Sequence, residues 1–219
     1  MKSILIQNPI EVVNRLDALG WKREGLTEVI ERMVTARNSC TPNHPLGSAG
    51  WMAWAEGTCR LRDIGCSLPG WEKNDDDHIP SIYHEERKIK IAACNTDDGT
   101  GLENRQPQNR NKKGAAMDRA VFINQLKFED ILEGAANVIQ LSDQLGGVVY
   151  WYLCVFCEGD VVRAELSCPS VCEGGFFTAF RERIILIGEG GDDDRGIRVR
   201  RSGPDGDSDF EISVTRKEG

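Results

Sequence analysis

Apolar residues recur every three to four positions through the first third of the chain and in β-rich runs through the last third. That division predicts helices followed by strands. Asn8 is placed to cap a helix whose first turn holds Pro9; Val12, Val13, Leu16 and Leu19 then share one face, and Gly20 supplies the stop. A second helix is expected from Thr27 as its cap, carrying Val29, Ile30, Met33 and Val34 and fraying near Asn38. Pro42, Pro45 and Gly47 make a rigid loop before Ser48, which can cap a third helix. There Trp51, Trp54, Thr58, Leu61 and Ile64 fall at helical spacing, an aromatic-anchored core face, with Arg60, Arg62 and Asp63 pointing elsewhere.

A polar connection through Pro69, Gly70 and the acidic run Asp75, Asp76 and Asp77 leads to Lys88–Ala93, which alternates with period two as a half-buried strand does. A long loop rich in Asn, Gln and Arg follows. Met117, Val121 and Leu126 then mark a helix, and a further helical stretch around Ile131, Leu132 and Ile139 reaches Gly146. Beyond it, residues 148–156, 161–166, 176–187, 196–200 and 210–214 read as strands divided by short turns containing Gly159, Gly174 and Gly175, Gly190 and Gly191, and Gly206. Short turns favour antiparallel neighbours, because parallel ones need crossovers of about a dozen residues or more.

The expected fold class is therefore α+β, with N-terminal helices packed on a mainly antiparallel C-terminal β-meander. Residues 1–146 form a helical region with a central strand and a basic loop, and residues 147–219 form the meander. These are read as one compact unit or two closely joined halves with a boundary near Gly146-Gly147.

Composition narrows the partners. The 219 residues carry 27 Lys plus Arg against 35 Asp plus Glu, a net charge of −8, which argues against a uniformly basic nucleic-acid coat or a polybasic membrane anchor. No apolar run approaches the ~18 residues of a spanning helix, so a soluble cytoplasmic protein without a membrane partner is expected. Its cysteines are expected to be reduced.

The average conceals a reversal. From Gly101 to Lys127 six basic residues (Arg105, Arg110, Lys112, Lys113, Arg119, Lys127) face two acids (Glu103, Asp118), a local +4. Arg105, Arg110, Lys112 and Lys113 are the candidate phosphate-binding residues, set before a helix start near Gly114 whose free amides and dipole would favour an anion. The competing reading is a solvated loop that pairs with surplus acids. Aromatic interleaving, which a stacking platform for single strands needs, is missing from this loop.

Two carboxylate groups are candidates for catalysis. Asp97 and Asp98 follow a strand and could hold a divalent cation, although a plain turn with Gly99, in which Asp side chains bond nearby backbone, is the stronger reading. Asp77 followed by Glu86 and Lys88 has the order of a metal-dependent nuclease site, provided that Glu86 and Lys88 share one face of a strand. Cys154 and Cys157 with Cys168 and Cys172 have C-x2-C and C-x3-C spacings that four-thiolate zinc would use. Residues three apart on a strand face opposite sides, however, so buried thiols packing as small hydrophobes is the stronger reading. No cofactor is required outright; a divalent cation and structural zinc are the two that the sequence admits. His44, His78 and His84 lie in polar stretches without a nucleophile at a recognisable spacing, and no Walker loop, dinucleotide fingerprint or Gly-x-Ser-x-Gly elbow is present.

The expectation that follows is a binding or accessory component of an intracellular, nucleic-acid-directed multi-protein system, contacting phosphate through the basic loop. The alternatives are a metal-dependent phosphodiesterase and a structural or regulatory subunit that docks on a protein partner.

Overall fold

A computed structural model of the chain describes residues 3–114, 117–125 and 147–189. The elements in order are β1 (Ile4–Ile6), α1 (Pro9–Leu19), α2 (Arg23–Asn38), α3 (Ser48–Gly65), β2 (Trp71–Asn74), β3 (Ser81–His84), β4 (Ile89–Asn95), β5 (Val149–Glu158), β6 (Val161–Glu173) and β7 (Phe176–Ile187), with a short helical run at residues 117–125.

The first helix forms as its local signals dictate. The Asn8 side chain accepts from the amides of Ile10 and Glu11, and Gly20 closes the other end in the left-handed conformation at φ 82°. Val12, Leu16 and Leu19 are buried, whereas Val13 faces solvent. α2 begins four residues before the expected Thr27, with Lys22 at its N-cap and no side-chain cap bond. The reason is Leu26: fully buried, it extends the apolar face of Val29, Ile30, Met33 and Val34 by a turn, so tertiary packing sets the start.

The tryptophan face expected of α3 is corrected by the structure. Trp51 is 65% exposed, Trp54 and Ile64 are half-buried, and the buried positions are Ala53, Gly57, Thr58, Leu61 and Gly65. Small residues win because the helix lies very close to its neighbours. A Cβ at Gly57 would overlap the Met33 side chain of α2, and one at Gly65 would come within 3.0 Å of Ile82 on β3. The larger indoles are left at the margin.

All seven strands form one sheet in the order β1-β7-β6-β5-β4-β3-β2. The sheet is mixed, which corrects the expectation of a mainly antiparallel meander: β1 runs parallel to β7 and β4 parallel to β5, while the other neighbours are antiparallel. The consecutive strands β5, β6 and β7 do pair through short turns as expected. The parallel pairing of β4 with β5 is open to the chain because residues 96–148, long enough for a crossover, lie between them. β1, β2 and β3, which the polar and N-terminal stretches concealed, complete the edges.

Alternate residues of each central strand enter two different cores. Trp151, Leu153, Val155 and Cys157 of β5, with Ile91 and Ala93 of β4, pack under α1, α2 and α3. Tyr150, Tyr152 and Cys154, with Ala92 and Cys94, face the opposite side, where Met117, Ala120 and Val121 of the helical run cover them. β4 is therefore buried on both faces from Lys90 to Cys94, not half-buried as its alternation suggested. Asn124 ties this second layer down, donating to the carbonyls of Tyr150 and Pro169 (both 2.8 Å) and accepting from the Tyr150 amide.

Register shifts at Cys168/Pro169 and beyond bend the β6–β7 hairpin. Its distal part packs on the second core through Phe177 and Phe180. The hairpin tip at Gly175 thereby reaches the loop that follows β4. The expected helical stretch around Ile131, Leu132 and Ile139, the position Leu126, and the expected strands at 196–200 and 210–214 lie outside the described residues. Among the described residues no helix is long and apolar enough to cross a membrane.

Candidate phosphate-binding site

The loop after β4 is a folded structure. Asp97 turns the chain with one carboxylate oxygen, Oδ1, which accepts from the amides of Gly99 (3.1 Å) and Gln108 (2.9 Å). Thr100 donates to Thr96 Oγ1 and to the Asp97 carbonyl, each at 2.7 Å. Gly101 has φ +73°, and a Cβ there would meet the Ile187 carbonyl at 2.6 Å, so only glycine fits between the loop and β7. Beneath it lies a buried ion pair. Glu165 of β6 accepts from Arg183 of β7, the Gly101 amide and Ser167, while Arg183 also donates to the carbonyls of Leu102 and Arg105.

The catalytic candidates are accounted for by this local structure. Asp97 forms the Asx turn. Asp98 binds Arg105 through two bonds of 2.7 and 2.8 Å, and that guanidinium holds its carboxyl below the usual carboxylate value. The Asp77–Glu86–Lys88 arrangement is not assembled. Glu86 and Lys88 lie in the turn between β3 and β4, where Lys88 has φ 51° and pairs with Glu85 at 2.6 Å, and Asp77 pairs with Arg119 at 2.7 Å. A turn cannot give Glu86 and Lys88 the common strand face that such a site needs.

The four candidate zinc thiols are divided by the sheet. Cys157 and Cys168 belong to the core under α1–α3, whereas Cys154 and Cys172 pack in the second core. Among the described residues no group of three or more His, Cys, Asp or Glu side chains is placed to hold a metal ion. Burial keeps these thiols protonated, pushing Cys154 well above its ordinary value and Cys168 up to about 12. Cys172 also stands at about 12, through burial and then the Asp118 carboxylate. All eight cysteines are free, and Cys59 and Cys66 are exposed. In the native protein a thiol alkylating reagent should therefore label Cys59 and Cys66 first and spare Cys94, Cys154 and Cys168 until unfolding, as read by peptide mass spectrometry.

The four basic candidates do not converge. Arg105 is occupied by Asp98. Lys112 and Lys113 lie against the hairpin tip, where the Lys113 amide donates to Gly175 at 2.9 Å. Arg110 stands apart from them at the carboxyl ends of the parallel strands β4 and β5. Its Nε donates to the Thr96 carbonyl at 3.1 Å, its guanidinium lies 5.6 Å from the Phe156 ring centre, and its nearest carboxylate is exposed Glu158 at 3.8 Å. Arg163 covers the same ring at 4.9 Å, and its Nε is buried without a partner.

Arg110 also borders a cleft between α2 and α3. The cleft is small, with a cavity volume of about 10 Å3, room for about one water, and is lined by Met33, Val34, Arg37, Ala53, Asn95, Arg110, Val155 and Cys157. Arg37, near the end of α2, is half-buried, and among the described residues its side chain has no hydrogen bond or ion pair. Asn95 Nδ2 donates to the Gly50 carbonyl at 2.7 Å and so pins the start of α3 to the end of β4. Both arginines act on Cys157: burial raises its thiol, and their charges oppose that rise.

With the Arg110 guanidinium paired to exposed Glu158 at 3.8 Å, two arginines thus border one apolar-floored cleft. Its position outside the carboxyl ends of adjacent parallel strands is where open sheets with parallel strands commonly hold ligands. Sequence reading found Arg110 in the charge run but missed Arg37 and Arg163. The one signal for Arg37 was a cation in the last turn of a helix, which the helix dipole alone explains. No family model matches the chain, and no curated protein and no solved structure matches it either.

Proposed function

We propose that this protein is a binding component of a nucleic-acid-directed system, and that it takes the phosphates of its ligand at the carboxyl edge of β4 and β5. The observation that carries this reading is the pair Arg37 and Arg110 on one cleft, with Arg163 beside them across Phe156. Guanidinium groups suit phosphate because their planar donors bond two oxygens at once. A narrow basic edge on a chain of net charge −8 would seat a local stretch of backbone and leave the acidic remainder to other contacts.

Binding of labelled single- and double-stranded DNA and RNA, measured by fluorescence anisotropy at several salt concentrations, tests this. Affinity should fall as salt rises, and Arg110→Ala or Arg163→Ala should each lower the magnitude of the log–log slope by about one for every phosphate that the side chain neutralises. Affinity indifferent to salt and to both substitutions would remove the reading. The protein-interaction alternative has one observation in its favour: Leu46 (105%) and Trp51 (65%), on the loop and first turn of α3, are exposed apolar side chains. It becomes the leading reading if no polyanion binds.

A further inference from the structure

Of the five tryptophans, Trp21, Trp71 and Trp151 are buried and Trp54 is half-buried. Trp51 is 65% exposed. The close approach of α3 to α2 explains why a large ring is kept out of the core, but an outside position is served as well by a polar residue, and an indole in water carries a large apolar surface. Among the described residues no aromatic ring or cation stacks on it.

Trp51 stands at the carboxyl edge of β4 and β5. The carbonyl of Gly50, just before it, accepts from Asn95 at the end of β4 (2.7 Å), and the Asn95 carbonyl accepts from the Arg110 amide (3.1 Å). Ala53, just after it, lines the cleft that Arg110 borders. A helical turn rises about 5.4 Å, so the indole is set within one turn of both contacts. The first turn of α3 carries no acid. Phe156, the other aromatic side chain at this edge, is buried and lies against Arg110 and Arg163, so the indole is the ring that a ligand can reach there. The basic loop has no aromatic residue of its own, and the topology supplies one from α3.

Two exposed apolar side chains, Trp51 and Leu46, are far short of the roughly 20–30 residues a side of a standard protein interface. A flat ring beside cations matches a nucleotide, whose base offers a π-face and whose phosphate takes the charge. Bases inside a duplex are already stacked on their neighbours; those of a single strand are available.

We propose that Trp51 stacks an unpaired base, so that the ligand of the carboxyl edge is a single-stranded nucleic acid. This inference rests on the reading that the edge binds nucleic-acid phosphates. Arg110 and Arg163 hold the backbone, and one base turns onto the indole.

The test measures binding of the full chain to one oligonucleotide sequence, as DNA and as RNA, in three forms: single-stranded, hybridised to its complement, and single-stranded without bases. The intact single strand should bind most tightly. Trp51→Ala should weaken that binding roughly 5- to 150-fold, the worth of one stacked base, and leave the duplex and the abasic strand unaffected. The salt slope should not change, because the indole neutralises no phosphate, whereas Arg110→Ala should lower it. Trp51→Phe should keep most of the affinity and Trp51→Leu should lose as much as Trp51→Ala, which separates stacking from plain apolar contact. At so exposed a position all three variants should keep the native thermal midpoint.

A duplex or abasic strand that binds as tightly as the intact single strand overturns the proposal, as does single-strand binding that survives Trp51→Ala or is fully kept by Trp51→Leu. Each of these leaves the phosphate reading standing, since that is read from the salt slope and Arg110→Ala. Binding of none of the forms overturns both. Self-association that Trp51→Ala abolishes and that oligonucleotide does not compete assigns the indole to a second copy of the chain and overturns stacking on a base.

Discussion

Replacing Arg183 by Met should lower the unfolding free energy by about 3–5 kcal/mol, the range observed when one partner of a buried ion pair is removed. Arg183 is 2% exposed and Glu165 is fully buried, so neither charge has water to fall back on. Glu165 accepts from Arg183 Nε at 2.8 Å and from Nη2 at 2.5 Å, as well as from Gly101 and Ser167. Without the guanidinium it keeps two donors for a full negative charge, and the carbonyls of Leu102 and Arg105 lose theirs. Each orphaned group costs about 1–3 kcal/mol, which places the total in the same range after partial relaxation. Urea denaturation reads the change. Combining Glu165→Gln with Arg183→Met should recover part of the loss, because much of the penalty belongs to the stranded charge. An Arg183→Met protein within about 1 kcal/mol of the native one would show that the pair does not hold the loop.

What could be read from the chain depended on how local its cause was. α1 was legible at both ends because Asn8, Pro9 and Gly20 act within a few residues of themselves. The strands β5, β6 and β7 were legible because short turns bring sequence neighbours together. The start of α2 and the face of α3 were misread because packing against other elements decides them. Leu26 matters through its burial, and Gly57 matters through Met33, a contact that helical spacing cannot reveal. β1 is three residues long and exists by pairing with β7 from the far end of the described chain. The parallel contact of β4 with β5 was likewise hidden behind the long stretch between them, and with it the carboxyl edge on which the candidate site lies.

The charge pattern was informative about place and misleading about membership. Of the four basic candidates after Gly101, one is neutralised by Asp98, two are drawn to the hairpin tip, and Arg110 alone reaches the cleft. Its companions come from elsewhere: Arg37 from the end of a helix and Arg163 from a strand, each a single cation among unlike neighbours. Linear charge runs report local density, whereas a site is assembled from elements that the topology brings side by side. The same holds for Asp97 and Asp98. Their adjacency suggested a pair, but their side chains serve a turn and an ion pair.

Asn109 joins these themes and carries the second large effect. It is 2% exposed, and its side chain holds three backbone groups at once, donating to the carbonyls of Asn111 (2.8 Å) and Gly175 (2.9 Å) and accepting from the Phe177 amide (2.8 Å). The residue next to it is Arg110, whose own amide bonds to the Asn95 carbonyl at 3.1 Å. Asn109→Leu replaces the amide with an apolar branched side chain that satisfies none of these groups. Leaving a buried amide and carbonyls without partners should cost about 2–4 kcal/mol, allowing for some recovery through water at the loop surface. The loss should be regional as well as global. Hydrogen exchange should speed at Phe177 and Lys113, where the hairpin tip meets the loop, before it changes in α1 or α2. Because this side chain holds the hairpin tip against the loop and Arg110 is the next residue along that loop, the variant should also bind polyanions more weakly than its stability alone accounts for, when compared at a temperature where both proteins are folded. A stable Asn109→Leu protein with native exchange at Phe177 would show that the bent hairpin is held by its aromatic packing, with the loop resting on it passively.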